Sequence, residues 1–393
     1  MTLTILFDLD DTLLRTNMEV FLPSYFDGIE TTYADFGAED IIREHNHTAV
    51  RAMIDNRDPG RRLKDVFNQN FYPAIGTTAA AAKERNESFY REIHPSYERL
   101  TDQKPEAVEL IAWCRAQGFT LAVATNPLFP REATLQRIHW AGLKPADFQF
   151  FTTYEDFHFT KPSILYYAEC LGRLGWPKGP IVMVGDNITH DLLPMEAMGF
   201  ATFWITDEPL PADRTGGSLA EVKTWLEEQR NSAVHLVESY EVLNAILRST
   251  PAVLDGWLQN LAKEDFQKSP APDEWSLTEI FWHLADMEKD VYLPQWQQLK
   301  NDPKQPVTPP NTSGWAESRE YRSRSPMEAL RQFYEARMES LALIQAFADS
   351  DRMGEIIRHT VFSELSIEEM VQFSARHDRI HLCQCYDLIK DNI

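Results

Sequence analysis

The chain has 393 residues, 43% apolar and 25% charged, a globular composition whose length predicts two domains and an inserted piece rather than one core. Its net charge of −22 excludes nucleic-acid binding through a basic surface, since residues 1–250 carry 23 Lys and Arg against 36 Asp and Glu and residues 251–393 carry 15 against 24. No apolar run approaches the roughly 18 residues of a membrane span, no secretory signal is visible, and the four scattered cysteines, Cys114, Cys170, Cys383 and Cys385, argue for free thiols, so the expected location is cytoplasmic.

In chain order, residues 3–7 read as a short buried parallel strand. The stretch Asp8-Leu9-Asp10-Asp11-Thr12 follows it directly. Residues 15 to about 105 read as a helical insert, too long for a simple crossover and placed to act as a lid over the preceding loop. Strands then alternate with helices: strands at 119–124, 148–153, 181–184 and 201–205, and helices at 105–117, 130–141 and from Lys161 to about Leu174. This pattern predicts an α/β fold with a doubly wound parallel sheet. A sixth, edge strand is expected at Ala233–Val237, and a helix to about Leu247 closes the unit. After a short linker near 247–252, residues 251–267, 276–300, 326–348 and 366–390 read as four amphipathic helices, an appended all-α four-helix bundle, with a Pro-rich surface loop from Asp302 to Gly314.

Four pieces of the α/β part carry chemistry. They are Asp8-x-Asp10-x-Thr12, Thr125-Asn126, Lys161-Pro162, and Gly185-Asp186 with Asp191. All fall at strand ends or helix starts, and in an open parallel sheet the carboxyl ends of neighbouring strands form the ligand crevice. Clustered carboxylates at the end of a buried strand need a cation to hold them. A carboxylate nucleophile, a second acid two residues on, hydroxyls for phosphate oxygens, a lysine and a metal-binding acid are the parts that phosphoryl transfer through an aspartyl-phosphate requires.

In these motifs residues 1–247 resemble the haloacid dehalogenase-like hydrolases, with DLDDT at 8–12 and GDNITHD at 185–191. The resemblance implies that Asp8 is the nucleophile and that Asp10 protonates the leaving group and later activates water. It implies that Thr125 and Lys161 hold the phosphoryl group, that Thr12 and Asn126 contact substrate, and that Asp8, Asp186, Asp191 and the carbonyl of Asp10 serve Mg²⁺. An acid at position 10 favours a phosphatase over a dehalogenase, and leaves mutase and phosphonatase open. The insert matches the family's helical cap, which implies a small phosphorylated metabolite as substrate.

In the bundle, His283 lies in WSLTEIFWHLAD, and His377 and His381 are four apart in ARHDRIHLCQ. The i, i+4 spacing puts two imidazoles on one helical face, where neutral His chelates a divalent metal. Residues 248–393 resemble the DinB-like metal-binding bundles in these stretches. The resemblance implies that the three histidines coordinate Zn²⁺, Ni²⁺ or Fe²⁺ with open positions for water or a thiol. Asp378 and Gln384 are weighed as groups behind the ligands, with a plain surface role the favoured expectation for either. The leading expectation is a Mg²⁺-dependent phosphatase fused to this bundle. The alternatives are a metal-dependent thiol transferase or hydrolase in the bundle, or the bundle as a regulatory module. Nothing in the sequence demonstrates a homodimer.

Overall fold

In the computed structural model, which describes residues 2–271 and 273–390, the first apolar run becomes strand β1 (Thr4–Phe7), fully buried in the middle of a parallel sheet. On one side lie β4 (Thr120–Val123) and then β5 (Phe150–Phe151). On the other lie β6 (Ile181–Gly185), β7 (Ala201–Ile205) and β8 (Gly216–Gly217). Phe7 is level with Val123 and with Val184, so the residues that follow all three strands emerge at one height. The sixth strand is Gly216–Gly217 beside β7, not Ala233–Val237 as expected. Val234 and Val237 lie exposed, so that stretch has no apolar surface to join.

The insert contains helices Met18–Thr32, Glu39–Ile54, Leu63–Phe71 and Ala79–Ser88, as its periodicity predicts. Its two ends are not helical. They form a small antiparallel ribbon of β2 (Leu14–Thr16) and β3 (Thr101–Gln103), with Leu14 opposite Gln103 and Thr16 opposite Thr101. Three-residue strands are too short to show a period of two. Just past the ribbon, Lys104 Nζ donates to the carbonyls of Asp11 and Thr12, which ties the return strand to the loop after β1. Asp11 itself takes the left-handed conformation, φ 57°, that lets this loop turn.

The chain divides into two compact units, Met1–Tyr167 with Pro177–Leu236, and Ala168–Trp176 with Val237–Ile393. In the second, the four long segments are Tyr240–Asn260, Leu277–Met287 continued through a π-helical turn at Glu288–Tyr292 into Leu293–Asn301, Pro326–Asp349, and Ile367–Ile389. Serines start all four. The hydroxyls of Ser239, Ser276, Ser325 and Ser366 accept from backbone N–H groups three residues on, and Glu279 and Glu369 complete capping boxes. A hairpin of β9 (Ile356–His359) and β10 (Ser363–Ser366), absent from the helical expectation, precedes the last helix.

The stretch 247–252, expected as linker, lies inside the helix Tyr240–Asn260, and Pro251 sits within it. A proline lacks the N–H that would bond the carbonyl four residues back, here that of Leu247. Arg337 Nη1 donates to this carbonyl at 2.8 Å, so the helix continues without an orphaned acceptor.

Candidate active site and metal centre

The ends of β1, β4 and β6 bring Asp8, Thr125 and Asp186 to one edge of the sheet. Lys161 arrives from the loop before helix Ile164–Arg173. Its Nζ donates to Asp8 Oδ1 and to Asp191 Oδ1, both at 2.6 Å, and all three side chains are at least nine-tenths buried. Asp191 Oδ2 accepts from Asn187 N at 3.0 Å. A Cβ at position 185 would overlap the Asp191 carboxylate, so Gly185 is required by this close approach. Oxygens of Asp8, Asp186 and Asp191 lie within 4.8 Å of one another.

Three carboxyl groups share one buried lysine, and two of them and the lysine titrate away from their ordinary values. Burial pushes Asp8 well above the usual carboxylate range; Lys161 opposes this, and Asp191, Asp186 and Asp10 add to it. Burial, then Asp191 and Asp11, raise Asp186 to about 7. Burial alone would lower Lys161, but Asp191 and Asp8 outweigh it and hold the ammonium well above its ordinary value.

A carboxyl raised from 3.8 to about 7 in the folded chain binds its proton more tightly there than in the unfolded chain. Stability from this group is therefore present at low pH and lost as pH rises through that window. In metal-free protein, Asp186→Asn is expected to stabilise by up to about 4 kcal/mol at pH 8 and by less than half of that, about 1.6 kcal/mol, near pH 5. Using the variant isolates Asp186 from the buried histidines, which titrate with the opposite sign. Thermal melts in a chelator check this, and an equal gain at both pH values would contradict it.

The remaining predicted residues are close by. Thr125 is 3% exposed, and its carbonyl accepts from Thr152 Oγ1 at 2.5 Å and Tyr166 Oη at 2.8 Å, which fixes the end of β4. Thr12 Oγ1 and Asn126 Oδ1 are buried without a hydrogen-bond partner among the described residues. Asp10 does not stand free: Oδ1 accepts from Thr16 Oγ1 at 2.9 Å and Oδ2 from Arg137 Nη1. Sequence reasoning missed Arg137, because REATLQRIHW reads as an ordinary solvated helix, whereas Arg137 is 1% exposed.

The three bundle histidines also meet. His377 Nε2 lies 3.0 Å from His283 Nε2 and 3.2 Å from His381 Nε2. Burial and mutual repulsion push His283 down to about 3 and His377 well below its ordinary value, while burial lowers His381. All three are thereby kept neutral, the form that binds a metal. The Gln384 side-chain oxygen accepts from His381 Nδ1 at 2.7 Å, which leaves the Nε2 lone pair facing the other two rings. The site opens on a cavity of about 860 Å³ lined by Trp275, Met287 and the three histidines. Asp378, favoured as a surface group from sequence, is fully buried instead: its carboxylate pairs with Arg337 at 2.6 and 3.1 Å.

Residues 2–199, half of the chain, match the family model of haloacid dehalogenase-like hydrolases. The chain belongs to that family. This haloacid dehalogenase-like hydrolase also matches the DinB superfamily over residues 246–385. Among curated relatives, "Pyrophosphatase PpaX" of Halalkalibacterium halodurans is 27% identical over 51% of this chain and 81% of its own. "Probable phosphatase IndB" of Dickeya dadantii is 30% identical over 51% of this chain and 80% of its own. Among solved structures, YfiT from Bacillus subtilis, titled a probable metal-dependent hydrolase with an unusual four-helix bundle topology, aligns at 16% identity and a TM-score of 0.36, over 41% of this chain and 91% of its own.

Proposed function

We propose that the first unit is a Mg²⁺-dependent phosphatase of a small phosphorylated metabolite, working through an aspartyl-phosphate on Asp8. The observation that carries this is the Lys161-bound Asp8 beside Asp186 and Asp191, with a second acid two residues on. The donor set fits a hard divalent cation, because three clustered carboxylates face one ammonium and oxygen is the ligand Mg²⁺ prefers. Asp8, Asp186 and the carbonyl of Asp10 would hold it, with Asp191 as ligand or orienter; when bound, it neutralises nucleophile and phosphate.

Lys161 holds the Asp8 carboxylate in one orientation and, with the Thr125 hydroxyl, binds equatorial phosphoryl oxygens. An Asp8 oxygen attacks phosphorus, the bond to the leaving oxygen breaks, and Asp10 gives that oxygen its proton. Asp10 then takes a proton from water as the water oxygen attacks phosphorus and expels the Asp8 carboxylate. Curated relatives named a pyrophosphatase and a probable phosphatase support the reading. The expected result on a phosphometabolite panel is Mg²⁺-dependent release of inorganic phosphate. No release from any member in Mg²⁺ would overturn it.

For the bundle we propose that His283, His377 and His381 hold Zn²⁺, Ni²⁺ or Fe²⁺. The adjoining cavity favours chemistry of its own there, such as transfer to or from a thiol, over a purely regulatory role. Purified protein is expected to carry about one equivalent of transition metal, and His377→Ala with His381→Ala to carry almost none. Unchanged metal content would remove this site. Loss of phosphatase turnover in the same variant, with the fold intact, would favour the regulatory role.

A further inference from the structure

Arg137 is a buried cation that the phosphatase reading does not use. Its Nη1 donates to Asp10 Oδ2, and its guanidinium carbon lies 4.4 Å from the ring centroid of Phe129. Among the described residues, Nη2 reaches only Thr134 Oγ1, at 3.5 Å, and Nε is buried without a partner. Burying a guanidinium is costly unless its donors are satisfied. The Asp10 carboxylate that it pairs with is shared with Thr16. Packing against Phe129 needs no charge, so an apolar side chain would serve there if packing were the whole role.

We propose that Arg137 binds an anion on the leaving-group side of the substrate, so that the hydrolase acts on phosphate esters or anhydrides whose leaving group itself carries a carboxylate or phosphate. Resting on the phosphatase reading, the geometry runs through Asp10. To deliver a proton, the Asp10 carboxyl must come within about 2.6–3.2 Å of the leaving oxygen. Arg137 already contacts that carboxyl, so the leaving oxygen lies within roughly 6 Å of the guanidinium, given two hydrogen-bond lengths. A carboxylate or phosphate one or two bonds beyond the oxygen spans that distance, and its paired oxygens match the planar fork. Lys161 is not available for this, being held between Asp8 and Asp191.

With Nη1 on Asp10 Oδ2, an arriving anion meets Nη2 and Nε, so Asp10 keeps its place beside the leaving oxygen while the anion binds.

Matched probes test this: phosphoglycolate and 2-hydroxyethyl phosphate, which differ by a carboxylate against a hydroxymethyl group, with pyrophosphate as the anhydride. In Mg²⁺, kcat/KM for the better anionic probe is expected to exceed that for 2-hydroxyethyl phosphate by about 100-fold. Arg137→Met should collapse the ratio to within a few-fold, raising KM for the anionic probe and lowering its kcat. Arg137→Lys keeps the charge and should fall between, and it decides the matter if the Met variant does not fold. Wild-type turnover of all probes at similar kcat/KM, or a ratio unchanged in either folded variant, would overturn the role of Arg137 and leave the phosphatase reading standing. No turnover of any phosphate ester or anhydride would overturn both.

Discussion

Asp8→Asn should reduce phosphate release in Mg²⁺ by at least ~10⁴-fold while leaving the fold intact. The amide has the shape of the carboxylate but no anionic oxygen to form a bond to phosphorus, and none of the neighbouring acids is placed to substitute. Asp191 is tied to Lys161 and Asn187, and Asp10 to Thr16 and Arg137. Loss through unfolding is separable, because the charge physics predicts the opposite effect on stability. Asp8 is pushed well above the usual carboxylate range, chiefly by burial and partly by its acidic neighbours, so removing its charge relieves repulsion in metal-free protein. The variant should melt at or above the wild-type temperature in a chelator at pH 8. Steady-state phosphate release above about 1% of wild type would take the nucleophile's role away from Asp8.

Arg337→Ala should destabilise the bundle by about 3–5 kcal/mol. Arg337 projects from the third long helix and is 1% exposed. Its guanidinium donates to the Leu247 carbonyl on the first helix, to Glu288 Oε2 on the second at 2.7 Å, and to both oxygens of Asp378 on the fourth. One side chain therefore joins all four. Its removal leaves two buried carboxylates without their cation and the carbonyl beneath Pro251 without a donor. Asp378 directly follows His377, so the same change is expected to loosen the histidine cluster. Denaturant unfolding of the full chain, read on a signal confined to the bundle, measures the loss; a change below about 1 kcal/mol would mean that the triad contributes little net stability.

How much of this was legible in the sequence differs from element to element. The edge that gathers Asp8, Thr125 and Asp186 was legible because an apolar run such as 181–184 reads as a buried strand, and the acids and hydroxyls fall immediately after such runs. The histidine cluster was legible through the i, i+4 spacing of His377 and His381, although nothing in the sequence says which face of the helix His283 joins. Arg137, Arg337 and Asp378 were not legible. Each is a charged residue in an amphipathic helix, where the usual place for charge is solvent, and what buries it is a partner from a distant segment. Pro251 misled for a related reason. It reads as a break in the chain, and only a guanidinium 86 positions further on, at Arg337, makes it an interior helical residue. The ribbon of β2 and β3 is too short to carry any periodic signal.

That ribbon has a consequence for how the α/β unit could diverge. The insert leaves at Thr16 and returns at Thr101, and these two residues are paired across the ribbon. From the standpoint of the sheet, the chain departs and comes back at a single point, as it would for a tight hairpin. The entropy of closing a loop grows only logarithmically with its length, so the sheet is nearly indifferent to what is hung on that point. Descent could exchange one insert for another without disturbing the order of the strands that carry Asp8, Thr125 and Asp186. The exception is Lys104, whose bonds to the carbonyls of Asp11 and Thr12 would have to be kept by any replacement.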